Sequence, residues 1–255
     1  MTKRIEDLIV TDNKRLNKEY FTLELTSSGP LPEVKPGQFA QIRIEGSQST
    51  FLRRPFSIHD YDPSENKIRL LVQIVGKGTE TLSRLKNGDR LNMIFPLGNS
   101  FSLPLDGQKP LLAGGGCGIA PLLFLARYLS GRGFAPEILL GFRNKERILE
   151  YDDYLNFGKV FITTEDGSEG QKGFLTDHPV LSSGDHDIVY CCGPEPMMKA
   201  LACFCRDHDI ECEVSLEHLM GCGIGACLCC VVDTVNGNLC TCTDGPVFNV
   251  NDLKW

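Results

Sequence analysis

The chain lacks the features that mark membrane-embedded, exported, repetitive or nucleic-acid-binding proteins. No apolar stretch approaches the roughly 20 residues of a membrane span, and the opening Met-Thr-Lys-Arg-Ile-Glu is not an apolar signal segment. Internal repeats and low-complexity tracts are absent. Acidic residues outnumber basic ones by 33 to 26, and the net charge of -7 argues against general binding of nucleic acid. With 255 residues, 42% of them hydrophobic, we expect a cytoplasmic protein of more than one domain.

Cysteine, by contrast, is abundant, with 12 residues in the chain. In a chain without export signals, this number points to metal and redox chemistry in a reducing cytosol rather than to disulfides. Four of them follow the spacing C-x4-C-x2-C…C, which is the ligand pattern of plant-type 2Fe-2S ferredoxins: Cys222, Cys227, Cys230 and Cys242. Gly223 and Gly225 suit such a loop, because glycine lets the backbone approach the cluster closely.

Two points about this assignment stay open at the level of sequence. Cys240 rivals Cys242 as the fourth ligand; we favour Cys242 because the turn sequence Asp244-Gly245-Pro246 follows it closely. A structural zinc site also uses four cysteines, but it usually pairs two short C-x2-4-C knuckles, whereas here three thiols crowd one glycine-rich loop. We assign no role to Cys191, Cys229 or Cys240.

The pattern of apolar residues changes along the chain. Up to about Leu105, short alternating runs separated by Pro and Gly predict an antiparallel β-barrel or sandwich. From about Lys109, apolar strands alternate with helical stretches, which predicts an α/β domain with a mostly parallel sheet. The cysteine-rich tail has too few apolar residues for its own core, so a metal cluster would organise it. The sequence therefore predicts three domains, at residues 1–105, 106–215 and 216–255.

Two glycine-containing segments are expected at one edge of the parallel sheet. The first follows a strand and opens a helix, as a phosphate-binding loop must, and it includes Gly114, Gly115, Gly116 and Gly118. Its register is not G-x-G-x-x-G, so a tight strand-to-helix turn is the alternative. The second comprises Cys192, Gly193 and Pro194, again between a strand and a helix. Together they predict a nicotinamide site, although Cys192 alone would more often be a small buried residue.

A third segment, in the N-terminal half, has the groups needed to hold a flavin: Arg54, Pro55, Phe56 and Ser57. Arg can bind a phosphate bidentately, and Ser can hydrogen-bond the edge of a heteroaromatic ring. The alternative is an edge strand with a solvated Arg and a core Phe. Farther along, the turn Gly76-Lys77-Gly78-Thr79 offers donors to a diphosphate, or is simply a hairpin turn.

These motifs, in this order and with the cysteine tail, resemble the ferredoxin reductase superfamily. More narrowly, the chain resembles the electron-transfer subunits of NAD-dependent dihydroorotate dehydrogenases, nearly throughout its length and most specifically in the tail. The resemblance implies an FAD-binding barrel at 1–105, an NAD-binding domain at 106–215 and a 2Fe-2S domain at 216–255. It further implies FAD contacts from Arg54 to Ser57, from the strand Leu71-Val72-Gln73 and from Gly78 and Thr79. Phe56 stands where the wider superfamily often has Tyr and has no hydroxyl to donate.

The function implied by the resemblance is transfer of electrons between NAD(H), FAD and a 2Fe-2S cluster. The partner would be an FMN-containing dihydroorotate dehydrogenase catalytic subunit of pyrimidine biosynthesis, in a heterotetramer with two copies of each subunit. Because the cofactors carry the chemistry, no acid–base residue of this chain is expected to be catalytic. The coenzyme stays open at the level of residues, since Arg143 and Lys145 suit a 2'-phosphate or belong to a solvated loop.

Two other functions remain compatible with the sequence. A reductase subunit of a hydrogenase, or of a flavin-based transhydrogenase, shares the flavin, nicotinamide and cysteine-tail layout. The Gly-Ile-Gly-Ala spacer between Cys222 and Cys227 favours the dihydroorotate system over the transhydrogenase type. A zinc-stabilised binding module without redox activity is the alternative from a different class.

Overall fold

The computed structural model describes residues 3–47, 49–182 and 185–255, and it begins with a seven-stranded antiparallel sheet in the order β4-β3-β7-β1-β2-β6-β5. A short helix, α1 (Lys77–Leu82), lies between the sixth and seventh strands. The strands are β1 (Arg4–Arg15), β2 (Tyr20–Thr26), β3 (Phe39–Ile42), β4 (Arg54–Ser57), β5 (Asp60–Asp62), β6 (Lys67–Gln73) and β7 (Arg90–Leu97). Alternate side chains, such as Leu23, Leu25 and Leu70, fill a core of their own inside this sheet. The predicted antiparallel barrel is confirmed.

The second half of the chain forms another seven-stranded sheet, in the order β11-β10-β9-β8-β12-β13-β16. All its neighbouring strands run parallel except β16, which pairs antiparallel with β13. Its strands are β8 (Pro110–Gly115), β9 (Glu137–Phe142), β10 (Lys159–Thr164), β11 (Gln171–Lys172), β12 (Ile188–Cys192), β13 (Glu211–Ser215) and β16 (Val247–Asn249). The helices are α2 (Ala120–Ser130), α3 (Tyr151–Leu155), α4 (Pro179–Ser182) and α5 (Glu195–Asp207). Every residue of β8 and β12 is buried, as expected of central parallel strands covered on both faces, and the predicted α/β architecture is confirmed.

The cysteine-rich tail is anchored on both halves of the protein. Its hairpin, β14 (Val231–Thr234) and β15 (Gly237–Cys240), forms a separate two-stranded sheet. Beyond the hairpin, β16 extends the parallel sheet, and Phe248, Val250 and Leu253 enter the core on that side. The predicted domain limits at 105/106 and 215/216 stay predictions. The final strand of the chain, β16, belongs to the sheet formed mainly by residues of the predicted second domain, 106–215. In the described part of the chain, no helix combines the length and apolarity required to cross a bilayer.

Helix α2 is fixed to the barrel at its first turn by a buried histidine. His59 is fully buried, with Nδ1 2.7 Å from the carbonyl oxygen of Ala120 and Nε2 2.6 Å from a carboxylate oxygen of Glu150. Burial alone would raise the pKa of Glu150, but the charge and hydrogen bond of His59, with Arg69 at 3.7 Å, bring that pKa down to about 2. His59 therefore joins the barrel to the start of α2, because its two ring nitrogens lie within hydrogen-bond distance of Ala120 on the helix and of Glu150.

Candidate cofactor sites

A cavity of about 620 Å³, called here the sheet-edge cavity, opens at the carboxyl ends of the parallel strands β8, β9, β10 and β12. Ligands of open parallel sheets bind at this edge, where the strand order reverses on either side of β8. Several residues that the sequence assigned to nicotinamide binding line it: Gly115, Gly116, Gly118, Gly193 and Pro194. The two glycine segments, which are about 75 residues apart in sequence, therefore share one cavity.

The glycines of this edge serve different purposes. Gly116 has φ +55 and open space beside it, so its backbone is free for a ligand to approach. Gly118 touches the other loop, since a Cβ at this position would lie 2.5 Å from the backbone nitrogen of Gly193. Gly114 lies behind the cavity wall, where a Cβ would lie 2.7 Å from the end of the Leu122 side chain on α2, so its lack of a side chain allows close packing of the helix on the strand. Gly193 also lies close to the first loop, since a Cβ there would lie 3.0 Å from the backbone nitrogen of Gly115, so the two loops are held in contact at both Gly118 and Gly193.

Cys192, which the sequence assigned to the nicotinamide ring, is fully buried behind the cavity wall. Its sulfur lies 4.0 Å from Oε1 of Glu217, and burial, with Glu217 next, raises its pKa well above the ordinary value. The thiol that reaches the cavity is Cys117 instead, in the middle of the first glycine segment. Burial raises the pKa of Cys117 to about 12, so it is neutral and not nucleophilic.

A second cavity of about 640 Å³, called here the barrel cavity, lies between the barrel and the segment that follows β13. Residues that the sequence assigned to FAD line it: Arg54, Pro55, Phe56, Ser57, Leu71, Gln73, Gly78 and Thr79. Val72, from the same assignment, points the other way and is buried in the barrel core, because successive side chains of a strand alternate between its faces. The hydroxyl oxygen of Thr79 accepts hydrogen bonds from the backbone nitrogens of Val75 (2.9 Å) and Gly76 (3.2 Å), so it shapes the turn.

The two cavities meet at Gln73, Cys117 and Glu217, each of which lines both. Burial raises the pKa of Glu217, so its carboxyl holds a proton more readily than an exposed glutamate does. Sequence reasoning missed Cys117 and Glu217. Cys117 lies inside the glycine segment that the sequence did identify, whereas nothing in the local sequence around Glu217 indicates that it reaches this junction.

The end of the sheet-edge cavity away from this junction carries charges of both signs. Arg143 and Glu165 both line it, and Phe174, which is 67% exposed, forms part of its wall. Lys145 is 2.8 Å from Glu169 and Arg147 is 2.6 Å from Glu19, so both of these cations are paired. Within the described ranges, Glu165 has no ion-pair partner. This end therefore presents a carboxylate that the sequence reading overlooked when it weighed Arg143 and Lys145.

The hairpin β14–β15 brings two of the predicted cluster ligands together at its open end. Cys230 and Cys242 are each 1% exposed and pack with Phe39 and Leu97 of the barrel. The backbone nitrogen of Thr241 donates to the carbonyl of Cys230 at 2.9 Å, which closes the base of the hairpin. The eleven residues between Cys230 and Cys242 thus form the hairpin and its base, and the third and fourth thiols lie side by side.

The loop from Cys222 to Cys227 points backbone N–H groups at sulfur. The nitrogen of Ala226 lies 3.3 Å from the sulfur of Cys222, and the nitrogen of Gly225 lies 3.2 Å from that of Cys242. Gly223 and Gly225 have φ of +71 and +84, a conformation that favours glycine. Backbone hydrogen bonds from Cys229 and then Cys222 lower the pKa of Cys227 to about 6, which favours the thiolate that a metal requires.

This donor set fits a two-iron cluster. Four thiols, with backbone N–H groups directed at the sulfurs of Cys222 and Cys242, match the ligation of such clusters, in which two thiolates bind each iron. Within residues 3–47, 49–182 and 185–255, no three His, Cys, Asp or Glu side chains converge closely enough to hold a single metal ion. Cys240 differs from Cys242: it is only partly buried and lies in the last position of β15, paired with Val231.

Comparison with known proteins agrees with this arrangement. Residues 217–254 match the family model described as the iron-sulfur cluster binding domain of dihydroorotate dehydrogenase B. The chain is 41% identical over 250 residues to the dihydroorotate dehydrogenase B (NAD(+)) electron transfer subunit of Caldanaerobacter subterraneus subsp. tengcongensis, covering 96% of this chain and 97% of that one. It is 36% identical to the subunit of the same name from Fusobacterium nucleatum, covering 98% and 99%.

Solved structures give the same fold. The structure of an NADH-dependent reduced ferredoxin-NADP oxidoreductase superposes with a TM-score of 0.86 at 30% identity, covering 97% of this chain and 90% of that one. The ferredoxin reductase in carbazole 1,9a-dioxygenase superposes with a TM-score of 0.71 at 21% identity, covering 82% and 67%, and so shares the fold alone.

Proposed function

The chain belongs to the family of dihydroorotate dehydrogenase B (NAD(+)) electron transfer subunits, and from that premise we propose how its own residues hold each cofactor and where electrons leave. It is an NAD-dependent oxidoreductase subunit that works with NAD(H), FAD and a 2Fe-2S cluster. When bound, FAD would supply the conversion between the two-electron chemistry of NADH and the one-electron chemistry of the cluster. A cytoplasmic location stays a prediction from the sequence.

The barrel cavity would hold FAD. Arg54 and the turn from Gly76 to Thr79 would bind the diphosphate, and Ser57 would hydrogen-bond the edge of the ring system. Phe56 would offer an aromatic face to the flavin but has no hydroxyl to donate. Gln73, Cys117 and Glu217 would border the flavin on the side from which the nicotinamide enters, because they line both cavities.

The sheet-edge cavity would hold NAD(H). The backbone of Gly116 would approach the diphosphate, and the contact of Gly118 with Gly193 would keep both loops against the coenzyme. Cys192 would act from behind the wall by orienting Glu217 rather than by touching the nicotinamide. The buried ring of His59 would hold α2, and with it the first glycine segment, at a fixed distance from the barrel.

The observation that carries the proposal is a continuous path from the barrel cavity to the cysteine pair. Phe39 and Met220 line the barrel cavity and also pack in the cluster of side chains that contains Cys230 and Cys242. Cys222, Cys227, Cys230 and Cys242 would be the iron ligands. The burial of Cys242 and its hydrogen bond from Gly225 support it over Cys240 as the fourth ligand.

The outer side of the cysteine loop would be the electron exit. Ile224 is 49% exposed and Leu228 is 63% exposed, so exposed apolar side chains neighbour the predicted ligands in sequence. An exposed apolar patch of this kind would favour docking of a protein partner, which would exclude water from around the cluster. The partner would be an FMN-containing dihydroorotate dehydrogenase catalytic subunit, in an assembly with two copies of each chain.

The direct test is a visible absorption spectrum of anaerobically purified protein, with flavin and iron quantified, before and after NADH is added. We expect one flavin and about two irons per chain, both bleaching with NADH. Addition of the catalytic subunit should then restore colour in the presence of orotate, and light scattering should give the mass of a two-plus-two complex. A colourless, zinc-containing protein would refute the proposal and favour the binding module.

Glu165 is expected to set the preference for NADH over NADPH. Its carboxylate lines the far end of the sheet-edge cavity, where it can accept a hydrogen bond from a ribose hydroxyl and would repel a 2'-phosphate. In Glu165→Gln we expect the ratio of kcat/KM for NADPH to that for NADH to rise roughly tenfold, equivalent to about 1.4 kcal/mol. Steady-state reduction of ferricyanide with each coenzyme measures the ratio.

The matched control for Glu165 is its neighbour Asp166. That carboxylate accepts hydrogen bonds from the backbone nitrogen of Ser168 at 2.9 Å and from its hydroxyl at 2.6 Å, within its own turn. Asp166→Asn removes the same charge one residue away and should leave the coenzyme ratio unchanged. Equal changes in both variants would assign the effect to the general field of the loop and not to Glu165.

A further inference from the structure

Gln41, on β3, is a buried glutamine with an unpaired amide. The residue is fully buried, and neither its side-chain nitrogen nor its side-chain oxygen has a hydrogen-bond partner among the described residues. It lines neither the sheet-edge cavity nor the barrel cavity. Because an unpaired buried amide destabilises the fold, such a group in a native protein calls for an explanation, such as a redox or catalytic role, a water or an ion.

The unpaired amide lies directly beneath the cysteine loop. A Cβ on Gly223 would be 2.7 Å from Nε2 of Gln41, so only the absence of a side chain at Gly223 lets the amide come this close. Gly223 immediately follows Cys222, the first thiol of the predicted ligand set.

The alternation of β3 places Gln41 on the same face as the contacts to the buried cysteines. Ala40 and Ile42 point into the barrel core, whereas Phe39 points outward and packs with Cys230 and Cys242. Gln41 is two residues after Phe39 and therefore shares its face. The amide thus lies against Gly223 of the cysteine loop, on the face of β3 from which Phe39 packs with Cys230 and Cys242.

We propose that the side-chain amide of Gln41 donates a hydrogen bond to a sulfur of the iron-sulfur cluster, either a cysteine thiolate or an inorganic sulfide, and thereby raises its reduction potential. This inference rests on the proposed ligand set. The amide can turn about its last bond, so its N–H groups can face the sulfur. A donor at sulfur stabilises the reduced cluster more than the oxidised one, because the reduced cluster carries one more negative charge.

The test is a redox titration of the holoprotein, followed by electron paramagnetic resonance, for the wild type and for Gln41→Met. Methionine fills a similar volume without an N–H donor. We expect full iron and FAD content and a midpoint potential about 59 mV lower, which corresponds to a tenfold change in a one-electron equilibrium. Pulsed measurements on protein labelled with 15N-glutamine should also lose a nitrogen coupling in this variant.

Gln38 provides the matched control, because it is a buried glutamine three residues away whose amide is hydrogen-bonded within the protein. Its nitrogen donates to the carbonyl of Gly98 at 3.0 Å, and its oxygen accepts from the backbone nitrogen of Lys35 at 2.8 Å. Gln38→Met should therefore lower the melting temperature and leave the cluster potential unchanged. Gln41→Met should instead lower the cluster potential and leave the melting temperature unchanged.

A full-iron Gln41→Met protein with the wild-type potential, or an equal shift in Gln38→Met, would overturn the inference. If Gln41→Met binds FAD but no iron, the midpoint potential of Gln41→Asn tests the inference instead. That variant keeps the amide but shortens its reach, so a potential below that of the wild type supports the hydrogen bond and an unchanged potential refutes it. Absence of iron in the wild type would instead refute the proposed ligand set, so the two failures are distinguishable.

Discussion

Cys242→Ser is expected to lose its iron almost completely, from about two atoms per chain to near zero, while it retains FAD. Cys242 is buried beside Cys230, and its sulfur accepts a hydrogen bond from Gly225 at 3.2 Å, so a serine hydroxyl there would replace a thiolate at the centre of the site. Flavin reduction by NADH should persist, because the barrel and sheet-edge cavities do not include this residue. Electron delivery to the catalytic subunit should cease.

Cys240→Ser is the control for this prediction. Cys240 lies two residues earlier, is partly buried and ends β15, so the same chemical change is made in the same hairpin. We expect it to keep its iron and its visible spectrum. Iron quantification and the absorbance of the two variants decide the matter: equal loss in both, or loss in Cys240→Ser alone, would mean that Cys240 is a ligand.

The second large effect is expected for Gly118→Ala, which should weaken NAD+ binding by more than about tenfold. The added methyl group would lie 2.5 Å from the backbone nitrogen of Gly193, and backbone atoms cannot move aside as a flexible side chain can. The two loops must therefore separate, at a cost in the free energy of unfolding of about 1–3 kcal/mol. Titration of the protein with NAD+ by calorimetry, together with thermal unfolding, measures both quantities.

Gly29→Ala is the matched control for Gly118→Ala. Gly29 lies in the barrel half, its φ is outside the left-handed region, and a Cβ there would meet nothing within 4 Å. This variant should bind coenzyme and unfold like the wild type. An unchanged NAD+ affinity in Gly118→Ala would mean that the contact between the two loops is not needed to shape the cavity.

Much of the fold follows from local sequence patterns. The alternating runs of the N-terminal half and the strand–helix alternation after Lys109 predicted the two sheets, because side-chain periodicity reports which face of an element is buried. The family, the overall function and the three cofactors were also predicted from motif spacing and from the resemblance it carries, and these are confirmed by the comparisons. Only the existence of a partner subunit follows from the names of the relatives, so the FMN group and the stoichiometry stay proposals.

Contacts between distant segments were beyond the reach of the sequence. The pairing of β16 with β13 sends the end of the chain back into the parallel sheet, and no pattern within Val247–Asn249 states which strand it will join. From the local sequence, His59 is an ordinary barrel residue. Its role depends on Glu150, which lies 91 positions later in the chain and contacts it only in the folded protein. Such pairs depend on how whole sheets pack, which a local pattern does not encode.

The sequence by itself determined the kinds of group that this protein binds and their order along the chain, because thiols and glycines at fixed spacing shape a loop wherever it is placed. The tertiary structure decided how these sites communicate. It joined the two cavities at Gln73, Cys117 and Glu217, placed Phe39 between the barrel cavity and the buried thiols, and left the amide of Gln41 facing the cysteine loop. The physical reason is that local spacing fixes the shape of a loop, whereas electron transfer depends on distances between loops, and packing alone sets those distances.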